Sequence, residues 1–141
     1  MAIRSVRSVV ANQTFVAAAG NVTVLDASVM MKQKGKGALL VVEQHRLVGI
    51  VTERDIVFRV VAAGRDPRHT RLAEVMTPQP QSIHPDKPFL HALRAMHEGG
   101  FRHLPVVESG RPLGVVSARD ALDDDIYDLR AELEQRDEEQ Y

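Results

Sequence analysis

The chain has 141 residues, 18 basic against 19 acidic, a net charge of −1 and no cysteine. That length holds one ordinary domain or two very small ones, and near-neutrality excludes a long-range pull on polyanions, so nucleic acid is not an expected partner. Without cysteine there are no disulfides and no thiolate chemistry, which suits a reducing compartment; apolar residues at 44% and charged residues at 26% fit a folded chain rather than a disordered one.

In chain order, the Met1-Ala2-Ile3-Arg4 start lacks the context of a signal peptide, and no run approaches the roughly 18 apolar residues of a membrane span. A cytoplasmic protein without a membrane partner is expected. Gln13 to Ala17 reads as extended. An amphipathic helix follows, with Asn21 as its N-cap and Gly35 at its stop. Two strands are expected at Ala38 to Glu43 and Leu47 to Thr52, turning at Gln44-His45-Arg46. A second helix opens near Arg54, with Ile56, Val57, Val60 and Val61 as its stripe. Gly64-Arg65-Asp66-Pro67 breaks it, and residues 68–80 connect onward, with a helical turn at Leu72 to Met76. Arg65, Arg68 and Arg71 read as a solvated cluster.

The order then recurs. Gln81 to His84 is extended, and a helix capped by Asp86, with Pro88 in its first turn, carries Phe89, Leu93 and Met96 to Gly100. Strands at Leu104 to Glu108 and Leu113 to Ser117 turn at Ser109-Gly110-Arg111, and a helix opens near Arg119. From Asp123 the tail is acidic. Leu122, Ile126, Leu129 and Leu133 form a helical stripe, which a second subunit or the chain's own domain could cover; the dimer contact is favoured.

A shift of 65 positions superposes the two halves without gaps, with 13 of 31 positions identical over 25–55 against 90–120. Lys36-Gly-Ala-Leu-Leu-Val-Val42 meets Phe101-Arg-His-Leu-Pro-Val-Val107, and Gly49-Ile-Val-Thr-Glu-Arg-Asp55 meets Gly114-Val-Val-Ser-Ala-Arg-Asp120. One unit of about 55 residues buries too little to stand alone, so the two copies are expected to cover each other.

The order strand, helix, strand, strand, helix, with Gly, two apolar residues and [ST]-x-x-D closing the last strand twice, resembles the CBS-domain family, in which a tandem is called a Bateman module. Val75-Met76-Thr77-Pro78 and Arg102-His103-Leu104-Pro105-Val106 add to the likeness. The resemblance implies an α+β fold of two βαββα repeats packed through their sheets about a pseudo-two-fold axis: a first domain at 7–64, a linker at 65–80, a second domain at 81–125 and an acidic tail at 126–141. It implies clefts for adenosyl ligands (AMP, ADP, ATP, NAD or S-adenosylmethionine) and frequent dimerisation.

The tetrads Thr52-Glu53-Arg54-Asp55 and Ser117-Ala118-Arg119-Asp120 lie between a strand and a helix N-terminus, where free N–H groups favour an anion. Thr52 or Ser117 can donate to phosphate, Arg54 or Arg119 adds a planar fork of donors, and Asp55 or Asp120 can accept from a ribose diol. The resemblance assigns the same roles and places adenine against Ser82, Ile83, Leu104 and Pro105. [ST]-x-x-[DE] is equally a capping box, and one residue can do both. Arg102 and His103 can reach phosphate in the second copy, where the first offers only Lys36, so the site on Ser117 and Asp120 is expected to bind better.

The six His residues lack HxH or HxxxH spacing, and no metal site is expected. No P-loop, activated nucleophile or carboxylate cluster is present. The expected function is non-catalytic: sensing of an adenine nucleotide, AMP or ATP foremost, by a homodimer that acts on an unidentified regulated protein. The competing classes are a dimerisation scaffold with empty clefts and a nucleotide-acting enzyme.

Overall fold

The computed structural model describes residues 4–139. They divide into two compact units, neither contiguous in sequence. One holds Thr14–Gln81 with Val107–Pro112; the other holds the described residues before Thr14, Ser82–Val106 and those from Leu113 onward.

In the first unit, β1 (Val16–Ala18) runs parallel to β2 (Ala38–Glu43), which pairs antiparallel with β3 (Arg46–Thr52), and β3 with β4 (Thr77–Pro78). A parallel pair needs a crossover, supplied here by α2 (Val24–Lys34); α1 (Val6–Val10) precedes both in the chain. Thr23, not Asn21, caps α2: its hydroxyl accepts from the Asp26 N–H at 3.2 Å. The helix ends at Gly35, whose left-handed backbone (φ 64°) is open to glycine at little cost. Gln44 and His45 both take positive φ in the two-residue β2–β3 turn, the handedness that matches strand twist. After β3 come α3 (Glu53–Ile56) and a π-helical continuation over Val57–Val61. Val16, Val24, Ala27, Met31, Leu39, Val41, Val51 and Val60 form the core. Leu72 and Val75 complete it from α4 (Leu72–Val75), a short helix within the connecting stretch.

In the second unit, α5 (Phe89–Gly99) precedes the hairpin of β5 (His103–Glu108) and β6 (Arg111–Ser117). Phe89, Ala92, Leu93, Met96, Leu104, Val106 and Val116 make its core together with Val6 and Val10 of α1. Each repeat's leading helix has therefore been exchanged. The α1 helix heads the first repeat but packs in the second unit, and α4 heads the second repeat but packs in the first. The motif glycines allow this. A Cβ on Gly49 would meet the Met76 side chain just after α4, and one on Gly114 would lie 2.8 Å from Val10 Cβ.

The extended piece expected at Gln81 to His84 shrinks to one parallel bridge, Ile83 with Val106. Ile83 N–H donates to Pro105 O at 2.9 Å. The next rung needs an N–H from residue 85, which is proline. Asp86 does not cap α5 but binds the Arg7 guanidinium at 3.0 Å. Pro88 sits at the N-cap position, and the Phe89 N–H donates to Arg4 O at 2.7 Å.

The second-repeat tetrad forms a single 3-10 turn, Ala118–Asp120, and then the chain breaks into an extended Ala121 before α6 (Asp123–Glu139). Leu129 packs against the second unit's own core, Arg94 pairs with Glu132 at 3.0 Å, and Arg136 pairs with Glu98. The tail stripe is thus divided: Leu129 docks at home, while Leu122 and Ile126 stay exposed beside Tyr127. The fold is α+β with two repeats, and among the described residues no helix is long and apolar enough to cross a membrane.

Candidate functional site

Both tetrads close as capping boxes at the end of a strand. In the first, Thr52 N–H and Oγ1 donate to Asp55 Oδ2 at 2.9 and 3.1 Å, and Asp55 N–H donates back to Thr52 Oγ1 at 3.3 Å. In the second, Ser117 N–H and Oγ donate to Asp120 Oδ2 at 2.7 and 3.4 Å. A neighbouring strand start is tied to each turn: Glu53 N–H donates to Gly37 O at 3.0 Å, and Ala118 N–H to Arg102 O at 3.1 Å. The capping reading of the motif is therefore realised in both copies. Each carboxylate is fixed in one rotamer by its own backbone before any ligand arrives.

The copies differ at the other carboxylate oxygen. Asp55 Oδ1 lies 3.7 Å from Arg59 Nε, an i,i+4 pair, with the acid only 14% exposed. The residue equivalent to Arg59 at the 65-residue offset is Asp124. Among the described residues Asp120 Oδ1 has no hydrogen bond or ion pair. The flanking guanidinia differ likewise. Arg54 lies over the Phe58 ring, 5.2 Å from its centroid. Arg102 and Arg119 are exposed, and among the described residues their side chains make no hydrogen bond or ion pair. The sequence signal for Arg59 is its i,i+4 spacing from Asp55.

The other expected site residues gather in the second unit. Ser82 is exposed and Ile83 half-buried beside Pro105, through the backbone bond already given. His103 is half-buried and has a partner. Leu104 is fully buried in the core, so only its backbone can face a ligand. The structure thus brings Ser82, Ile83, Arg102, Pro105, Ser117, Arg119 and Asp120 onto the segments that meet at the start of β5 and the end of β6. Thr52, Arg54 and Asp55 form a separate cluster in the first unit. Beside that cluster, a groove of about 550 Å³ lies between α2 and α3, lined by Met31, Lys32, Lys36, Glu53, Ile56 and Val57.

Of the expected basic cluster, Arg68 and Arg71 are exposed, and among the described residues only the Arg65 guanidinium is paired. Arg65 pairs with Glu74 at 2.6 Å, and Glu74 also accepts from the Arg71 N–H at 2.6 Å. These contacts, the Arg71 N–H first and the Arg65 guanidinium second, hold the Glu74 carboxyl below its usual 4.5.

Comparison with known proteins adds to this geometry. A family model described as the CBS domain matches residues 6–62 and 72–126. The CBS domain-containing protein CBSCBSPB2 of Arabidopsis thaliana is 39% identical over 114 residues, 80% of this chain and 21% of its own length; this chain spans about a fifth of that relative. The hexameric CBS-CP12 protein from bloom-forming cyanobacteria is 31% identical with a TM-score of 0.76, over 84% of this chain and 70% of that one. The CBS domain pair of protein MJ0100, solved in complex with 5′-methylthioadenosine and S-adenosyl-L-methionine, is 25% identical with a TM-score of 0.76, over 84% of this chain and 93% of that one.

Proposed function

The chain belongs to the CBS-domain family as a pair of repeats, and from that premise we propose that it is a regulatory module that binds an adenosyl ligand and catalyses no reaction. The observation that carries this is the Ser117–Asp120 turn, where a carboxylate is held in place with one oxygen that has no partner among the described residues, beside Arg119 in the turn and Arg102 on the segment bonded to it, whose guanidinia likewise have none there. A carboxylate so placed accepts from a vicinal diol, and Arg119 and Arg102 supply charge to phosphate. Ser82 and Ile83, with the backbone of Leu104 and the edge of Pro105, offer adenine a mixed polar and apolar wall. The adenosyl ligands in the MJ0100 pair support the class of ligand.

Within that class AMP or ATP is the proposed ligand, with NAD and S-adenosylmethionine as alternatives. The Asp120 site is the tighter one, because Arg59 and Phe58 already engage the counterparts of its free groups. Thr52, Arg54 and Asp55 form the weaker site. The module works in the cytoplasm as a homodimer, and ligand shifts its populations only by its differential affinity for two states, which a regulated protein then reads.

A scaffold that never takes ligand is the second reading, favoured by one observation: each tetrad acid already serves as the acceptor for the backbone N–H that starts its own turn. Thermal melting with AMP, ATP, NAD and S-adenosylmethionine separates the two. A ligand-specific rise in melting temperature supports binding; no shift with any of the four supports the scaffold, and consumption of ligand would overturn the non-catalytic assignment.

A further inference from the structure

The two ligand acids are held by different means. Asp55 sits within α3, and the helix continues past it for a further turn. Asp120 is the last residue of its turn; Ala121 is extended, and the helix restarts only at Asp123. The backbone that aims Asp120 therefore lacks the onward helical hydrogen bonds that steady Asp55.

A residue 116 positions away spans the gap. Arg4 Nη1 donates to Asp120 O at 3.4 Å and to Asp125 Oδ2 at 2.5 Å. Asp125 Oδ2 also accepts from the Leu122 N–H at 2.8 Å, so one guanidinium bridges both ends of the 120–125 link. Arg4 is itself fixed. Its guanidinium lies over the fully buried Phe89 ring, 5.0 Å from the centroid, and its carbonyl accepts from the Phe89 N–H. The following residues continue as a strap: Val6 and Arg7 N–H donate to Lys87 O and Pro85 O at 2.9 and 2.8 Å, and Gln13 Oε1 accepts from the Val115 N–H at 2.9 Å, two residues before Ser117.

We propose that Arg4 is a positioning residue for Asp120, and that the N-terminal strap is energetically linked to occupancy of the second-repeat ligand site. This rests on the adenosyl reading of the Ser117–Asp120 turn. Linkage is reciprocal: whatever the strap adds to affinity, bound ligand adds to the docking of the strap. Ligand occupancy is thereby reported at the N-terminal segment of the chain.

The test is titration of the full chain with AMP and with S-adenosylmethionine, followed by NMR at the Ser117 and Ala118 amides so that the second-repeat site is read separately. Arg4→Ala is expected to weaken binding there about 5- to 10-fold, within the usual range for coupled sites. Arg4→Lys, which keeps a positive charge near Asp125 but gives up the planar guanidinium that lies over the Phe89 ring, is expected to recover part of the loss. Met96→Ala, a core truncation at the far end of α5, should lower the melting temperature and leave affinity unchanged. Ligand should slow hydrogen exchange at Val6 and Arg7 in the unaltered chain and not in Arg4→Ala. Equal affinity of Arg4→Ala and the unaltered chain, or an equal loss in Met96→Ala, overturns the inference alone. Failure of the unaltered chain to bind either compound overturns the ligand reading and this inference with it.

Discussion

Replacing Asp120 separates what its carboxylate does for the fold from what it does for a ligand. Asparagine keeps an oxygen that can accept from Ser117 N–H, so most of the cap survives; alanine removes it and costs about 1 kcal/mol of stability, the usual value for one lost hydrogen bond. For binding, the two substitutions behave alike. With its oxygen turned to Ser117 N–H, asparagine presents an NH2 where Asp120 Oδ1 stood, a donor that cannot accept from the diol, so two hydrogen bonds contributing roughly 1 kcal/mol each are lost. The expected loss in Asp120→Asn is therefore about 2 kcal/mol, or roughly 30-fold in affinity. The assay is calorimetric titration with AMP and ATP alongside thermal melting. Asp120→Asn should melt near the unaltered chain and bind far more weakly; Asp120→Ala should lose both. Asp55→Asn should cost less affinity, because Arg59 already engages that acid. Asp120→Asn binding within twofold of the unaltered chain refutes the diol assignment, and equal losses at Asp55 and Asp120 refute the asymmetry.

Gly114→Ala should destabilise the second unit by about 1–3 kcal/mol, a typical cost of overpacking, since its Cβ would lie 2.8 Å from Val10 Cβ; a melting temperature equal to that of the unaltered chain would show that α1 yields freely. Phe89→Ala removes the largest fully buried side chain and should cost about 3–5 kcal/mol, read from denaturant midpoints. Glu74 has a carboxyl depressed below 4.5 in the fold, so its contribution is complete above that pH and fades as pH falls through the lower folded value. The melting-temperature gap between the unaltered chain and Glu74→Gln should accordingly narrow as the pH is lowered past the usual carboxylate range; a gap independent of pH would exclude the charge as its cause.

Much of this was legible in the sequence because it is local or repeated. The offset of 65, the two tetrads, the hairpin turns and both glycine helix stops depend on residues close together in the chain. Cap choice was less legible: Asn21 and Thr23 are both good caps two positions apart, and the observed register selects Thr23. The lost strand at Gln81 to His84 follows from Pro85, a breaker in plain view whose effect depends on which partner strand it meets. The unequal second helices also have a local cause, since Asp123, Asp124 and Asp125 favour a new helix N-terminus at that point. What periodicity could not reveal is the company each segment keeps. Arg4 reaches Asp120 and Phe89 through tertiary structure alone, and nothing in the first ten residues marks their destination.

The traded helices α1 and α4 make the molecule indivisible in a way that its duplicated sequence conceals. Shortening it to the first 64 residues would strip Leu72 and Val75 from one interior and strand α1 without the surface it fits.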